Sequence, residues 1–273
     1  MFYTNLINPM RIISRSRFLI ILWATLVLSS CQDHDDQVPQ DVTPEFVWTQ
    51  NWDGTTLANA DFDSTPLTNA NGETLRLSKL VYLISDITFT DAQGVSYTGG
   101  DFNLIDAREG LGLNFSPNLL IPEGDYTVSF RFGFDDEDNA GNYPALNSAD
   151  GGWNVPMMLG GGYHFMRMEG KYMSTLTIPE SEVNFQYHTI RAANTSTAPI
   201  TLQDTSFLVN LGQVTIAENT SIEVKMNVAE WFKNPNTWNL YELYTALMPN
   251  FDAQVMMSEN GVNGVFTLGD VTN

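Results

Sequence analysis

From about Glu45 onward, apolar and polar residues alternate along the chain in short runs. The clearest is Tyr126-Thr127-Val128-Ser129-Phe130-Arg131-Phe132, which follows the turn Pro122-Glu123-Gly124-Asp125. Successive side chains of a strand point to opposite faces, so a period of two predicts a half-buried strand. The same reading, with β-branched and aromatic enrichment, predicts strands at 80–84, 87–89, 102–105, 163–168, 183–190 and 221–228, and over part of 200–212. Turn residues such as Asp91 to Gly94 and Gly99-Gly100 separate them at short intervals. Helical patterns are few. Residues 228–233 predict one turn before Pro235, and 251–258 predict a short helix closed by Asn260-Gly261. The expected fold is all-β: an antiparallel β-sandwich with one or two short C-terminal helices.

The first 30 residues break this pattern. Arg11, Arg15 and Arg17 precede an apolar run of 11 residues, Phe18 to Leu28, and then Ser29, Ser30 and Cys31. A basic segment, a short apolar segment and small residues are the parts of a secretory signal. The run is well short of the roughly 20 residues that a membrane-spanning helix needs. Leu28-Ser29-Ser30-Cys31 resembles the lipobox of bacterial lipoproteins, which implies acylation at Cys31 and a membrane partner through that lipid anchor. As the chain's single cysteine, Cys31 leaves no intrachain disulfide to form. Residues 31–44 are polar and acidic, and are expected to be a flexible tether. Residues 45–273 are then one domain, carried on a lipoprotein of the cell envelope, outer-membrane anchored and periplasmic or surface-exposed.

The leader holds three of the 12 basic residues and none of the 32 acidic ones, so its removal takes the formal charge from −20 to −23. That excludes nucleic acid as an expected partner. Phosphate loops, HExxH and Gly-x-Ser-x-Gly are absent, and no enzymatic activity is expected. The acidic run 135–141 offers oxygens at Asp135, Glu137 and Asn139. It lacks an EF-hand's sixth-position glycine and twelfth-position glutamate, so a solvated turn is expected. Trp48, Trp52, Trp153, Trp231 and Trp238 suit either core packing or stacking on sugars. If 163–168 is a strand, His164, Met166 and Met168 share one face, and His188 on a neighbouring strand adds a second imidazole. Imidazole with thioether suits Cu(I), although methionine in a strand is also ordinary core filling.

These segments resemble the MbnP family. The resemblance is carried by 79–87 (KLVYLISDI), 102–106 (FNLID), 121–126 (IPEGDY), 162–170 (GYHFMRMEG) with Tyr187-His188, and 256–261 (MMSENG) ahead of Gly264-Val265-Phe266. It implies an all-β fold and a mononuclear copper site in which histidines combine with a tryptophan oxidised to kynurenine by a diheme partner. His188 matches the family's later histidine. The early histidine falls around Gln50 or Asn51, and the tryptophans fall at Met157 and Leu159, so the ligand set is incomplete. The donors then expected for copper are His188, His164, Met157 and Met166. The alternative reading is a metal-free surface module that binds a glycan or an envelope protein.

Overall fold

The computed structural model describes Met1 and residues 39–100, 102–176, 178–243 and 247–273. The expected signal segment, Cys31 and most of the tether lie outside the described residues. The folded unit is Pro39–Asn273. The chain joins it earlier than residue 45: Asp41–Val42 pairs with Ile121–Pro122, and Val42 is buried.

Eight principal strands organise the unit: β1 (Glu45–Trp52), β2 (Thr74–Asp91), β3 (Gly124–Phe132), β4 (Met166–Ser174), β5 (Ser181–Thr189), β6 (Phe207–Ile216), β7 (Ser221–Asn227) and β8 (Phe266–Thr272). One sheet runs β5-β4-β2-β3-β6, with short strands added along β2. The other runs β8-β7-β1, in which β7 and β1 are parallel. The two sheets face each other through ring contacts: Trp48 with Phe130 at 5.1 Å, Phe46 with Phe89 at 6.0 Å and Phe130 with Phe266 at 5.3 Å between centroids. The sandwich expected from the alternation is the observed architecture. The five tryptophans of the folded unit are all buried, so they pack the core and offer no exposed platform for sugars.

The long strand β2 was expected as two strands broken near Ser85. It is continuous, because Asp86, in a left-handed conformation (φ 51°), sits in a register shift that bends the strand without ending it. β2 has a second peculiarity. β4 pairs with its first half and β3 with its second half, and the two meet at Leu83. The Leu83 N–H donates to the Phe165 carbonyl, and the Leu83 carbonyl accepts from the Gly133 N–H. Gly133 is required there: its φ is +82°, and a Cβ would lie 2.5 Å from the Phe165 ring.

Near the C-terminus, 228–232 forms the expected single turn. The helix α1 (Phe251–Val262) runs further than expected, through Asn260 and Gly261. Asn260 bonds Trp231 and Asn236, and Gly261 leaves room for the Phe207 and Trp231 rings, so both residues hold the helix end in place. Gln254 of α1 donates to the His188 carbonyl and accepts from the Ile190 N–H, which ties the helix to β5.

A candidate metal centre at two imidazoles

The chain reaches β4 through a hairpin-like excursion, residues 153–164. The His164 N–H donates to the Trp153 carbonyl, Asn154 bridges Tyr163, and the Val155 N–H donates to the Gly162 carbonyl. Trp153 is fully buried, and its indole N–H closes the base by donating to the His164 carbonyl at 2.6 Å. His164 is thereby held in place and is 2 % exposed.

The hydrogen bonds of this ring fix its tautomer. Nδ1 lies 2.9 Å from the Trp153 carbonyl, which can only accept, so Nδ1 carries the proton. The Arg167 guanidinium, 3.3 Å from the same nitrogen, can therefore not donate to it, and instead donates to the carbonyls of Asp150 and Gly152. Nε2 is left as a bare lone pair, buried and without a hydrogen-bond partner. Burial, with the Arg167 charge adding to it, pushes the His164 pKa down to about 3, so the ring is neutral at physiological pH.

His188 lies across from Arg167 in the β4–β5 register. Its Nε2 is 2.7 Å from the Glu169 carboxylate. That hydrogen bond holds the Glu169 carboxyl below the usual range against the opposing effect of burial. In the neutral ring Nε2 donates to Glu169, and Nδ1 keeps its lone pair. The two imidazole centroids are 5.5 Å apart at an interplanar angle of 81°. Arg167 lies 4.7 Å above the Trp153 ring, and Asp150 bridges it to Lys79 at 3.0 and 2.6 Å. Two cations and two carboxylates thus surround the rings, and the surroundings have no formal net charge.

Of the four expected donors, the structure brings His164 and His188 together. It does not bring Met166 to them. The expected strand at Tyr163 begins only at Met166, because Phe165 leaves the ladder to bond Leu83 and Thr189. The period slips by one there. His164 falls on the Arg167 side of the sheet, while Met166 and Met168 point into the core. Met157 is not in the group either. It is 81 % exposed, in a short turn at the far end of the excursion. Gln50, at the position of the family's early histidine, faces the interior and donates to the buried Tyr82 hydroxyl at 3.0 Å. Sequence reasoning missed Glu169, Trp153, Arg167 and Asp150 as partners. The first and third do show in the strand's alternation, as polar residues between Met166, Met168 and Gly170.

A second polar group lies beyond Gly133. The acidic run was expected as a solvated turn, with oxygens at Asp135, Glu137 and Asn139 if it bound anything. Asp135 caps a short helical turn, and Asn139 turns inward to the Tyr163 N–H. Asp135 and Asp138 instead meet Asp86 from the β2 bend, the one group of three metal-competent side chains among the described residues. Arg131 lies 3.0 Å from Asp86 and 4.0 Å from Asp135. Burial, followed by repulsion from Asp86 and Asp135, raises the Asp138 pKa.

The imidazole pair fits copper on its donor chemistry. Metal-binding histidines characteristically fix one nitrogen on a carbonyl or carboxylate and present the other as a lone pair, as both rings do here. Imidazole nitrogens suit copper, as they also suit zinc, iron and nickel.

No curated protein matches the chain. Among solved structures, MbnP from Methylosinus trichosporium aligns at 14 % identity over 71 % of this chain and 77 % of its own, with a TM-score of 0.42. The MbnP family model matches residues 41–255, most of the chain and nearly all of the folded unit. The chain belongs to the MbnP family.

Proposed function

We propose that the protein is a copper-binding lipoprotein of the bacterial cell envelope, holding Cu(I) at His164 Nε2 and His188 Nδ1. The observation that carries this reading is the buried, unpartnered Nε2 of His164, 2 % exposed and beside a second imidazole. A buried acceptor left without a partner is destabilising by about 1–3 kcal/mol. A bound cation would remove that penalty and gain two nitrogen ligands.

Each surrounding residue has a defined part. The Trp153 carbonyl and Glu169 orient the two rings and increase their basicity as ligands. Asp150 holds Arg167 and Lys79 away from the lone pairs. Copper at this place supplies one-electron chemistry or simple cargo capacity. The reading is of a binding protein, not an enzyme. Trp153 packs beside the pair, with its ring 5.6 Å from His164, and a diheme redox partner would act on this edge of the fold. Acylation at Cys31 anchors the domain to the outer membrane.

The test is metal content by mass spectrometry on protein purified without chelators, with Cu(I) competition titrations on wild type, His164→Ala and His188→Ala. Stoichiometric copper that is lost in both variants is expected. Wild-type protein that neither carries copper nor takes it up would overturn the reading. A Cys31→Ser variant should move the protein from the membrane fraction to the soluble envelope fraction.

A further inference from the structure

The far end of the excursion borders a cleft of about 630 Å³, separate from the imidazole pair in its donors. Its wall carries the amides of Asn139, Asn142, Asn147 and Asn154, with Tyr163 and Arg191. In a chain of formal charge −20, the single charged side chain lining this cleft is a cation.

The hydrogen bonds along the wall occupy three of its four amide oxygens, while two of its four amide nitrogens, those of Asn147 and Asn154, donate within it. Asn147 Oδ1 accepts from both Asn154 and the Tyr163 hydroxyl, at 3.0 and 2.9 Å. Asn142 Oδ1 accepts from Asn147 at 2.9 Å. Asn139 Oδ1 accepts from the Tyr163 N–H at 2.7 Å, which fixes its amide orientation. Asn139 is 3 % exposed, and its Nδ2 has no partner. Gly162 makes this packing possible: its φ is +84°, and a Cβ would lie 2.1 Å from Asn139 Oδ1. The Arg191 side chain is 13 % exposed. Its terminal nitrogens reach Asp136 at 3.2 Å and the Gly160 carbonyl at 3.3 Å, and its Nε is buried without a partner. The Asp136 side chain is 68 % exposed, so this ion pair is weak competition for a ligand.

We propose that this cleft binds a hydroxylated carboxylate of the size of an acidic sugar, with the carboxylate on Arg191 and the hydroxyl oxygens on the asparagine amides. Guanidinium and carboxylate match in a two-point fashion, and amide donors in excess of acceptors select an oxygen-rich ligand. The site needs no copper, so its test is independent of the imidazole pair.

The experiment is calorimetric titration of the full-length protein with glucuronate, glucose and acetate. It is repeated on Arg191→Gln and on Asn142→Asp, an exposed position that adds a negative charge without removing a buried group. Saturable glucuronate binding, tighter than either fragment and weakened at least about tenfold in both variants, is expected from the loss of one charge-assisted pair. No saturable binding would overturn the proposal. So would glucuronate binding that is unchanged in Asn142→Asp, or acetate binding as tight as glucuronate.

Discussion

Two polar groups flank the place where β3 and β4 meet on the long strand β2. On one side of Leu83, the chain entering through Phe165 brings His164 to His188. On the other, the chain leaving through Gly133 brings Asp135 and Asp138 to Asp86. His164 is neutral, and the orientation of both rings is fixed by acceptors, the Trp153 carbonyl and the Glu169 carboxylate. The carboxylates carry like charges, are only partly buried, and already share Arg131. An unpartnered lone pair in a dry setting is a demand for a ligand. A carboxylate cluster open to water has solvent and an arginine to satisfy it. The difference explains why the acidic triad, though nominally the fuller set of metal-competent groups, is the poorer candidate for a resident copper.

The largest effect comes from separating ligand from core on β4 and β5. His164→Ala is expected to abolish stoichiometric copper while the fold is retained. Met166→Ala is expected to keep copper stoichiometric and to lose about 2–5 kcal/mol of stability in denaturant titration, since Met166 is fully buried among apolar residues. If Met166→Ala loses copper at unchanged stability, the thioether is a ligand and the assignment of faces is wrong.

The second effect is pH dependence in metal-free protein. The His164 pKa is about 3 in the folded chain, against about 6.5 unfolded. As pH falls below about 6.5 the unfolded chain gains a proton that the folded chain does not, so stability falls on acidification and levels off only near the folded pKa. One such group gives a slope of about 1.4 kcal/mol per pH unit. Between pH 6.5 and 5, before most carboxylates titrate, His164→Gln should flatten this slope. An equal slope in wild type and variant would show that His164 is not buried neutral.

Much of this architecture was legible in the alternation of residues, and the reason is physical. Strands such as β1 and β3 bury every second side chain with little interruption, so their period survives in sequence. The slip at Phe165 was not legible. It depends on Leu83 and Thr189, partners distant in sequence, and it alone moves His164 from the methionine face to the His188 face. The acidic triad was half legible. Asp135 and Asp138 lie in one conspicuous run, but Asp86 joins them only because β2 bends at a left-handed residue within a strand. The tryptophans were not decidable from sequence, since an aromatic ring suits core and sugar platform alike; the structure buries all five.

A smaller effect tests the charge frame around the imidazoles. Asp150 bridges Lys79 and Arg167 from a left-handed backbone position (φ 47°). Asp150→Asn should lower stability by about 1 kcal/mol or less, because these pairs are partly solvated. It should also weaken copper binding more at low salt than at high salt, since Arg167 is then less well neutralised. Equal binding at both ionic strengths would remove Asp150 from the description of the site.

The smallest effect returns to the acidic side of Leu83 and has the opposite sign. Burial and its neighbours raise the Asp138 pKa, so the ionised form is disfavoured by folding. A raised folded pKa contributes stability at pH below the unfolded value, and that contribution is lost as pH rises through the folded value. Wild-type protein at neutral pH therefore carries a penalty at Asp138. Asp138→Asn keeps an oxygen for the Tyr143 hydroxyl, which donates to Asp138 at 3.2 Å, and removes the charge. It should stabilise the protein at pH 7 by well under about 1 kcal/mol, given how much solvent screens this position, and the gain should vanish near pH 3. Thermal melts at the two pH values measure it. A loss of stability at pH 7 would mean that the triad's charge is needed, as it would be if a cation occupied the group. The contrast between a side that demands a metal and a side that does not would then fail.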